Sequence, residues 1–138
     1  MADDNKFFDL EIIAPQRIFY RGKASMVELN TSEGEIGVYK NHIPLTTIIV
    51  PGIVTITEAE GKKEAAVQSG FMEILPDRVT ILAEVAEWPG EIDVDRAKKA
   101  EERAKRRLEE KKPETDMKRA EVALHRSLIR QELASHGK

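Results

Sequence analysis

The fold turns on one stretch: Arg78-Val79-Thr80-Ile81-Leu82-Ala83-Glu84-Val85-Ala86-Glu87-Trp88-Pro89-Gly90-Glu91-Ile92-Asp93-Val94-Asp95-Arg96-Ala97-Lys98-Lys99-Ala100. Its first eight residues, Arg78 and Glu84 apart, are β-branched or apolar, the composition of a strand. Trp88-Pro89-Gly90 interrupts the chain with its two strongest breakers. From Glu91 onward alanine, arginine and glutamate follow one another with no further break until Pro113. Seven of the eight glycines and five of the six prolines occur by Gly90. Charge divides at the same point. Residues 1–90 hold 8 Lys+Arg and 14 Asp+Glu, net −6; residues 91–138 hold 14 and 11, net +3, which accounts for the −3 of the whole chain. Two different physical objects share the 138 residues, and the function is expected in how the second moves or binds relative to the first.

Upstream of this stretch the chain reads as short strands between turn signals. Phe7–Ile13 stops at Ala14-Pro15, and Arg17–Tyr20 ends at Arg21-Gly22. Met26–Leu29 runs into Asn30–Gly34, and Ile53–Thr57 follows Pro51-Gly52. Ala65–Gln68 leads through Ser69-Gly70 into Phe71–Leu75, and Pro76-Asp77 turns into Arg78–Val85. Turn signals every 8–12 residues or so belong to a sandwich or a barrel.

Downstream the spacing predicts two helices. Asp93 is placed to N-cap the first, with Asp95 in its first turn. Ala97, Ala100, Ala104 and Leu108 form one narrow apolar stripe. After Pro113, Thr115 or Asp116 caps the second helix, and Met117, Ala120, Leu124 and Leu128 repeat the stripe. A helix, a short loop and a helix make an antiparallel hairpin. An alanine seam buries little area, and at roughly 25 cal/mol per Å2 such a seam is weak. The hairpin is expected to open, detach or be stabilised by a ligand.

Composition removes several classes of function. Zero cysteines excludes disulfides, thiolate metal sites and a cysteine nucleophile. The polar start Met1-Ala2-Asp3-Asp4-Asn5-Lys6 does not read as a signal peptide, and the apolar run Thr47-Ile48-Ile49-Val50 is far short of a membrane span. There is no phosphate-binding P-loop, no dinucleotide glycine fingerprint, no nucleophile elbow and no HExxH. His42 sits in the β-rich half; His125 and His136 are eleven residues apart on one helix, roughly 16 Å along its axis. No catalytic constellation and no metal site follow, so an enzyme is not expected.

The arginines stand out. Arg126 and Arg130 are i,i+4 on the second helix, with Arg119 on a similar face; Arg96, Lys99, Arg103 and Arg107 follow one side of the first. Guanidinium forks suit phosphate and carboxylate. Either an anion sits between the helices, or the hairpin docks on an acidic protein surface. Nucleic acid is disfavoured, because 11 acids offset the 14 basic residues of residues 91–138 and stacking aromatics are absent there.

Four segments carry a resemblance that covers nearly the whole chain. They are Gly34-Glu35-Ile36-Gly37 with His42-Ile43-Pro44-Leu45, Ser69–Ile74 followed by Val79–Glu84, Ile92-Asp93-Val94-Asp95-Arg96-Ala97, and the pair Arg126 and Arg130. In this order they resemble the epsilon-subunit family of bacterial F-type, rotary proton-translocating ATP synthases. The resemblance implies an antiparallel β-sandwich of about ten strands over residues 1–88, followed by a connector and antiparallel two-helix hairpin over 89–138. It implies a non-catalytic rotor chain whose sandwich holds the gamma subunit to the c ring, with Gly34, Glu35 and His42 at the contact. The hairpin is implied to extend and block ATP hydrolysis by reaching an acidic segment of a catalytic beta subunit, which the basic face with Arg103, Arg107 and Arg119 suits.

The resemblance further implies that the folded hairpin binds ATP through Glu87, Ile92, Asp93, Arg96, Ala97, Arg126 and Arg130, as a regulatory ligand and not as a required cofactor. Whether Mg2+ accompanies it stays open. Asp95 adds an anion beside the expected site, and its orientation decides whether it opposes phosphate or only caps the helix. Trp88-Pro89-Gly90 makes a connector that is stiff and then flexible. The implied location is peripheral, on the cytoplasmic face of the bacterial membrane and held there only through the complex. A free-standing ATP-sensing protein without a rotor role is the alternative.

Overall fold

The computed structural model describes residues 6–113 and 115–136; the polar start Met1–Asn5, read above for the absence of a signal peptide, lies outside them. Among the described residues ten strands precede two helices. The strands are β1 (Phe8–Ala14), β2 (Arg17–Ala24), β3 (Met26–Thr31), β4 (Gly34–Val38), β5 (Leu45–Ile49), β6 (Gly52–Glu58), β7 (Gly61–Val67), β8 (Gly70–Ile74), β9 (Arg78–Ala83) and β10 (Ala86–Glu87). They join in the order β10-β7-β6-β3-β5-β8-β9-β1-β2, with β4 added on β3. Only β1 and β9 run parallel among these pairs; the remaining neighbours are antiparallel. β3 is the corner: it pairs with β4 and β6, and through Thr31 and Ile49 with β5. The result is a β-sandwich close to a closed barrel.

Alternation builds its core. Phe8, Leu10 and Ile12 of β1 point inward, with Val27 and Leu29 of β3, Val54 and Ile56 of β6, Met72 and Ile74 of β8, and Val79 and Ile81 of β9. β2 breaks the period. Ile12 faces Tyr20 and Ile13 faces Ile18, so Phe19 is the extra residue of a bulge and both Phe19 and Tyr20 are buried. Tyr20 Oη donates to Glu58 Oε2 at 2.6 Å and so ties β2 to β6.

Strand boundaries depart from the sequence expectation in several places, among them β5 and the start of β7, and in two of them composition argues against the strand. Arg21-Gly22 is not a turn; β2 continues to Ala24, because its backbone pairs with β1 as far as Phe8. Gly34–Val38, where the turn signals mark no strand, is one, held by β3 across five residue pairs. Neither segment has a strong β composition, so tertiary pairing overrides it.

The second compact unit begins at Trp88. Pro89–Glu91 is a 3-10 turn in which Glu91 Oε1 accepts from Trp88 N at 2.9 Å. Helix α1 spans Val94–Glu110 and helix α2 spans Met117–His136. Asp93 caps α1, its Oδ1 accepting from Arg96 N at 3.0 Å; Asp116 does the same for Arg119 N at 3.0 Å. The two helices pack along each other, and α2 also packs on the 3-10 turn.

Candidate functional site

Two surfaces have the form of a binding face, one in each unit, and only that of the hairpin gathers predicted residues. On the outer face of the sandwich the strand registers place Ile48 beside Phe71, Phe71 beside Leu82, Leu82 beside Ile13, and Ile13 beside Ile18. These five residues make one apolar row across β5, β8, β9, β1 and β2. Phe71 is 55% and Leu82 51% exposed, and Ile48 and Ile18 are exposed to a similar degree. The next row, Thr46, Glu73, Thr80 and Glu11, is polar. A contiguous apolar row bordered by polar residues is the form of a protein contact. Sequence reading missed it. Apolar residues at both phases of Phe71-Met72-Glu73-Ile74 and Ile81-Leu82-Ala83 were the available signal, but only the ladder aligns them.

Around β4 the predicted contact residues are spread out. Gly34 pairs with Thr31 beside the tight β3–β4 turn, while His42 lies beyond the far end of the strand. Gly34 and Val38 are roughly 13 Å apart at strand spacing, so Gly34 and Glu35 lie at one end of β4 and His42 beyond the other. The His42 loop carries the exposed side chains Tyr39, Ile43 and Leu45, with Ile43 79% exposed. Asn41 adopts φ 67° and its N–H donates to Pro76 O at 2.6 Å, which fixes the loop to the β8–β9 turn.

In the hairpin, burial locates the seam. It runs through Ala97, Glu101 and Ala104 on α1, and through Ala120, Leu124, Ser127 and Gln131 on α2. The stripe expected on α2 drifts off this line: Leu128 is 44% exposed, whereas Ser127 is buried. Two successive steps of four residues overshoot the helical repeat by about 80°, so the seam takes Ser127. Leu133 is buried on another side of α2.

At about 100° per residue, Arg96, Lys99, Arg103 and Arg107 stand roughly 80–160° to one side of the α1 seam. Arg119, Arg126 and Arg130 stand roughly 80–120° to one side of the α2 seam. Because the helices are antiparallel, both offsets fall on the same side of the hairpin. Seven cations therefore share one face. Arg96, Lys99, Arg103, Arg107 and Arg119 are exposed, and Arg126 and Arg130 are half-buried. Glu110 joins them beside Arg107, and the opposite face carries Glu102, Glu109, Glu121 and Glu132 among Lys98, Lys105 and Lys118. Asp95 stands on the back of α1, diametrically away from the seam, about 100° around the helix from Arg96 and about 40° from Lys99.

Lengthwise the predicted nucleotide residues form a strip. Gln131 meets Glu101, which puts Arg130 level with about residue 102 and Arg126 with about residue 106. Asp93 is then roughly 13 Å from the level of Arg130 and roughly 20 Å from that of Arg126 along the axis. An extended ligand with a polar head at Asp93 and an anionic end toward Arg130 matches this strip; a compact anion cannot touch both ends. Ile92 is half-buried just before the cap, and Ala97 is buried in the seam. Glu87 belongs to the sandwich, in β10 opposite Ala66.

Among the described residues no cluster of three or more His, Asp or Glu is set to hold a metal ion, and no helix is long and apolar enough to cross a membrane. A cleft of about 510 Å3 lies at Pro15, Arg17 and Glu84, with none of the predicted residues in its lining.

Two family models match the chain: the β-sandwich domain of the ATP synthase delta/epsilon chain over residues 7–89, and its long α-helix domain over residues 91–134. The chain is similar to the ATP synthase epsilon chain of Caldanaerobacter subterraneus subsp. tengcongensis, 45% identical over 95% of this chain and 96% of that one. The corresponding chain of Brevibacillus brevis is 50% identical over 78% of this chain and 82% of that one. Among solved structures, a chain of the Euglena gracilis mitochondrial ATP synthase (OSCP/F1/c-ring) matches with a TM-score of 0.79 at 23% identity, over 94% of this chain and 82% of that one.

Proposed function

The chain belongs to the ATP synthase delta/epsilon family, and from that premise we propose that it is the central-stalk rotor chain that joins gamma to the c ring and restrains ATP hydrolysis with its hairpin. It is a non-catalytic subunit of the synthase, like its epsilon-chain relatives. The observation that carries the docking role is the apolar row from Ile48 through Phe71 and Leu82 to Ile18. A half-exposed Phe and its aliphatic neighbours in line offer the buried centre that a stable rotor contact needs. We assign this row to gamma, and the Tyr39–Leu45 loop with its exposed Ile43 to the c ring. The chain is then peripheral to the membrane on its cytoplasmic face, held there by the complex.

The arginine face supports the regulatory role. Folded, it offers Asp93, Arg96, Arg130 and Arg126 in one line to ATP, with the base and ribose end at the start of α1 and the phosphates toward the arginines. Extended, the same face, with Arg103, Arg107 and Arg119, meets an acidic segment of a catalytic beta subunit. One face cannot serve both partners at once, so ATP favours the folded state by mass action.

The test is the assembled enzyme with and without residues 91–138. The sandwich has its own core and its own continuous strand ladder, so the shortened chain should still assemble while ATP hydrolysis rises. An unchanged rate would refute the restraint. Failure of the intact chain to co-purify with gamma would refute the rotor role and favour a free-standing ATP sensor.

A further inference from the structure

The seam of the hairpin is made of small residues and has little apolar area to hold it. Ala97, Ala104 and Ala120 are its buried positions, and Ser127 turns its hydroxyl back on its own helix, donating to Leu124 O at 2.7 Å. Across this seam each helix sends one polar side chain to the other. Gln131 Nε2 donates to Glu101 Oε1 at 2.8 Å, across the two helices. The same Nε2 lies 3.3 Å from Ser127 O, so the amide is anchored one turn back on α2. Glu101 is anchored as well. Its Oε2 takes Lys105 Nζ at 2.6 Å, and its side chain is only 19% exposed. The Lys105 hydrogen bond, and after it that of Gln131, hold the Glu101 carboxyl below the usual carboxylate range.

We infer that Glu101 and Gln131 form a clasp that sets the register of the two helices and biases the hairpin toward its closed state. The inference rests on the mobile hairpin proposed above and names the hydrogen bond that governs it. Two physical arguments carry it. An alanine seam tolerates sliding, because one small apolar side chain replaces another at little cost; a directional bond between two anchored groups does not. A slip by one turn of either helix takes Gln131 roughly 5 Å from Glu101 and leaves it opposite alanine. Opening the hairpin must break the cross-helix bond, whereas the Glu101–Lys105 pair stays within α1. The clasp lies in the seam, off the arginine face, so it acts on the closed state independently of any ligand on that face.

The full chain has no cysteine, so two introduced thiols report alone. Lys98→Cys and Glu132→Cys place spin labels on the exposed back face, one on each helix at nearly the same level. Pulsed distance measurements then read the ratio of long to short separations, with circular dichroism checking that both helices persist. Gln131→Ala and Glu101→Ala should each raise that ratio about fivefold, the typical worth of one hydrogen bond. The double variant should do no more than either single one, and Gln131→Lys, which offers an ammonium to the same carboxylate, should restore the short distance. A ratio that ignores both single variants, or effects that add in the double, would overturn the clasp. Ala104→Glu, which forces a carboxylate into the seam, separates the two readings. If it opens the hairpin while the clasp variants do not, the clasp alone fails. If every variant keeps the short distance, the mobile hairpin fails and takes the clasp with it.

Discussion

Phe71 and Leu82 stand side by side on β8 and β9, and both project from the sandwich with half their surface in water. Neither contributes to the core, so their cost in solvent points to a partner. Phe71→Glu should lower affinity for gamma by about a hundredfold, since burying one aromatic at the centre of a contact is commonly worth about 2–4 kcal/mol. The melting temperature of the isolated chain should stay within about 2 °C of the parent. Surface plasmon resonance against gamma, with calorimetric melting beside it, reads both. Equal affinity would move the gamma contact elsewhere.

Asp95 stands on the back of α1 and the arginines on one flank of the hairpin, about 100° around the helix at Arg96, which separates their effects on ATP. Titration calorimetry of the full chain should show that Arg126→Ala or Arg130→Ala weakens ATP binding about tenfold or more, as expected when a charge-assisted hydrogen bond is removed. Asp95→Asn should change it less than about twofold. A large gain on removing Asp95 would place that carboxylate against the phosphates and contradict the face assignment.

Two glycines make opposite predictions. Gly70 has φ +147°, and a Cβ there would sit 1.9 Å from Leu82 O, a backbone atom that cannot yield. Gly70→Ala should destabilise the sandwich by about 3 kcal/mol or prevent folding. Gly90 has open space around its virtual Cβ. Gly90→Ala should be neutral or stabilising by about 0.5 kcal/mol, through a less flexible unfolded chain. Urea unfolding compares them directly.

Tyr20 ties β2 to β6 through Glu58, and burial, then the Glu58 hydrogen bond and charge, push its phenol well above the ordinary value of 10.0. A raised pKa means that the folded state holds the proton more tightly. The stabilisation is therefore complete below pH 10.0 and is lost progressively as the pH rises above it. Tyr20→Phe should cost about 2 kcal/mol near neutrality and flatten the loss of stability above that pH. Denaturant midpoints at several pH values decide; parallel curves for the two proteins would show that Tyr20 does not govern the alkaline limb.

Much of this was legible in residues alone. Arg78–Val85 is β-branched and Val94–Glu110 is alanine- and charge-rich, so local propensity and the Pro89-Gly90 break locate the boundary without any tertiary information. Asp93 and Asp116 were readable as caps because a cap depends only on the three residues that follow it. The seam of α2 was readable for only half its length, since a run of apolar residues at i+4 hides the drift that Ser127 corrects.

What the amino-acid order by itself determined is what near neighbours decide: a strand-rich half, two capped helices, an arginine excess on one side of each and no catalytic constellation. Only the tertiary structure decided which residues become neighbours across the chain. The register of five strands lines up Ile48, Phe71, Leu82, Ile13 and Ile18 from separate segments. The antiparallel seam puts Arg96 on the same face as Arg126 and brings Gln131 to Glu101. Strand pairing and helix packing couple residues tens of positions apart, and the alternatives differ by shifts of one or two residues that local composition scores equally.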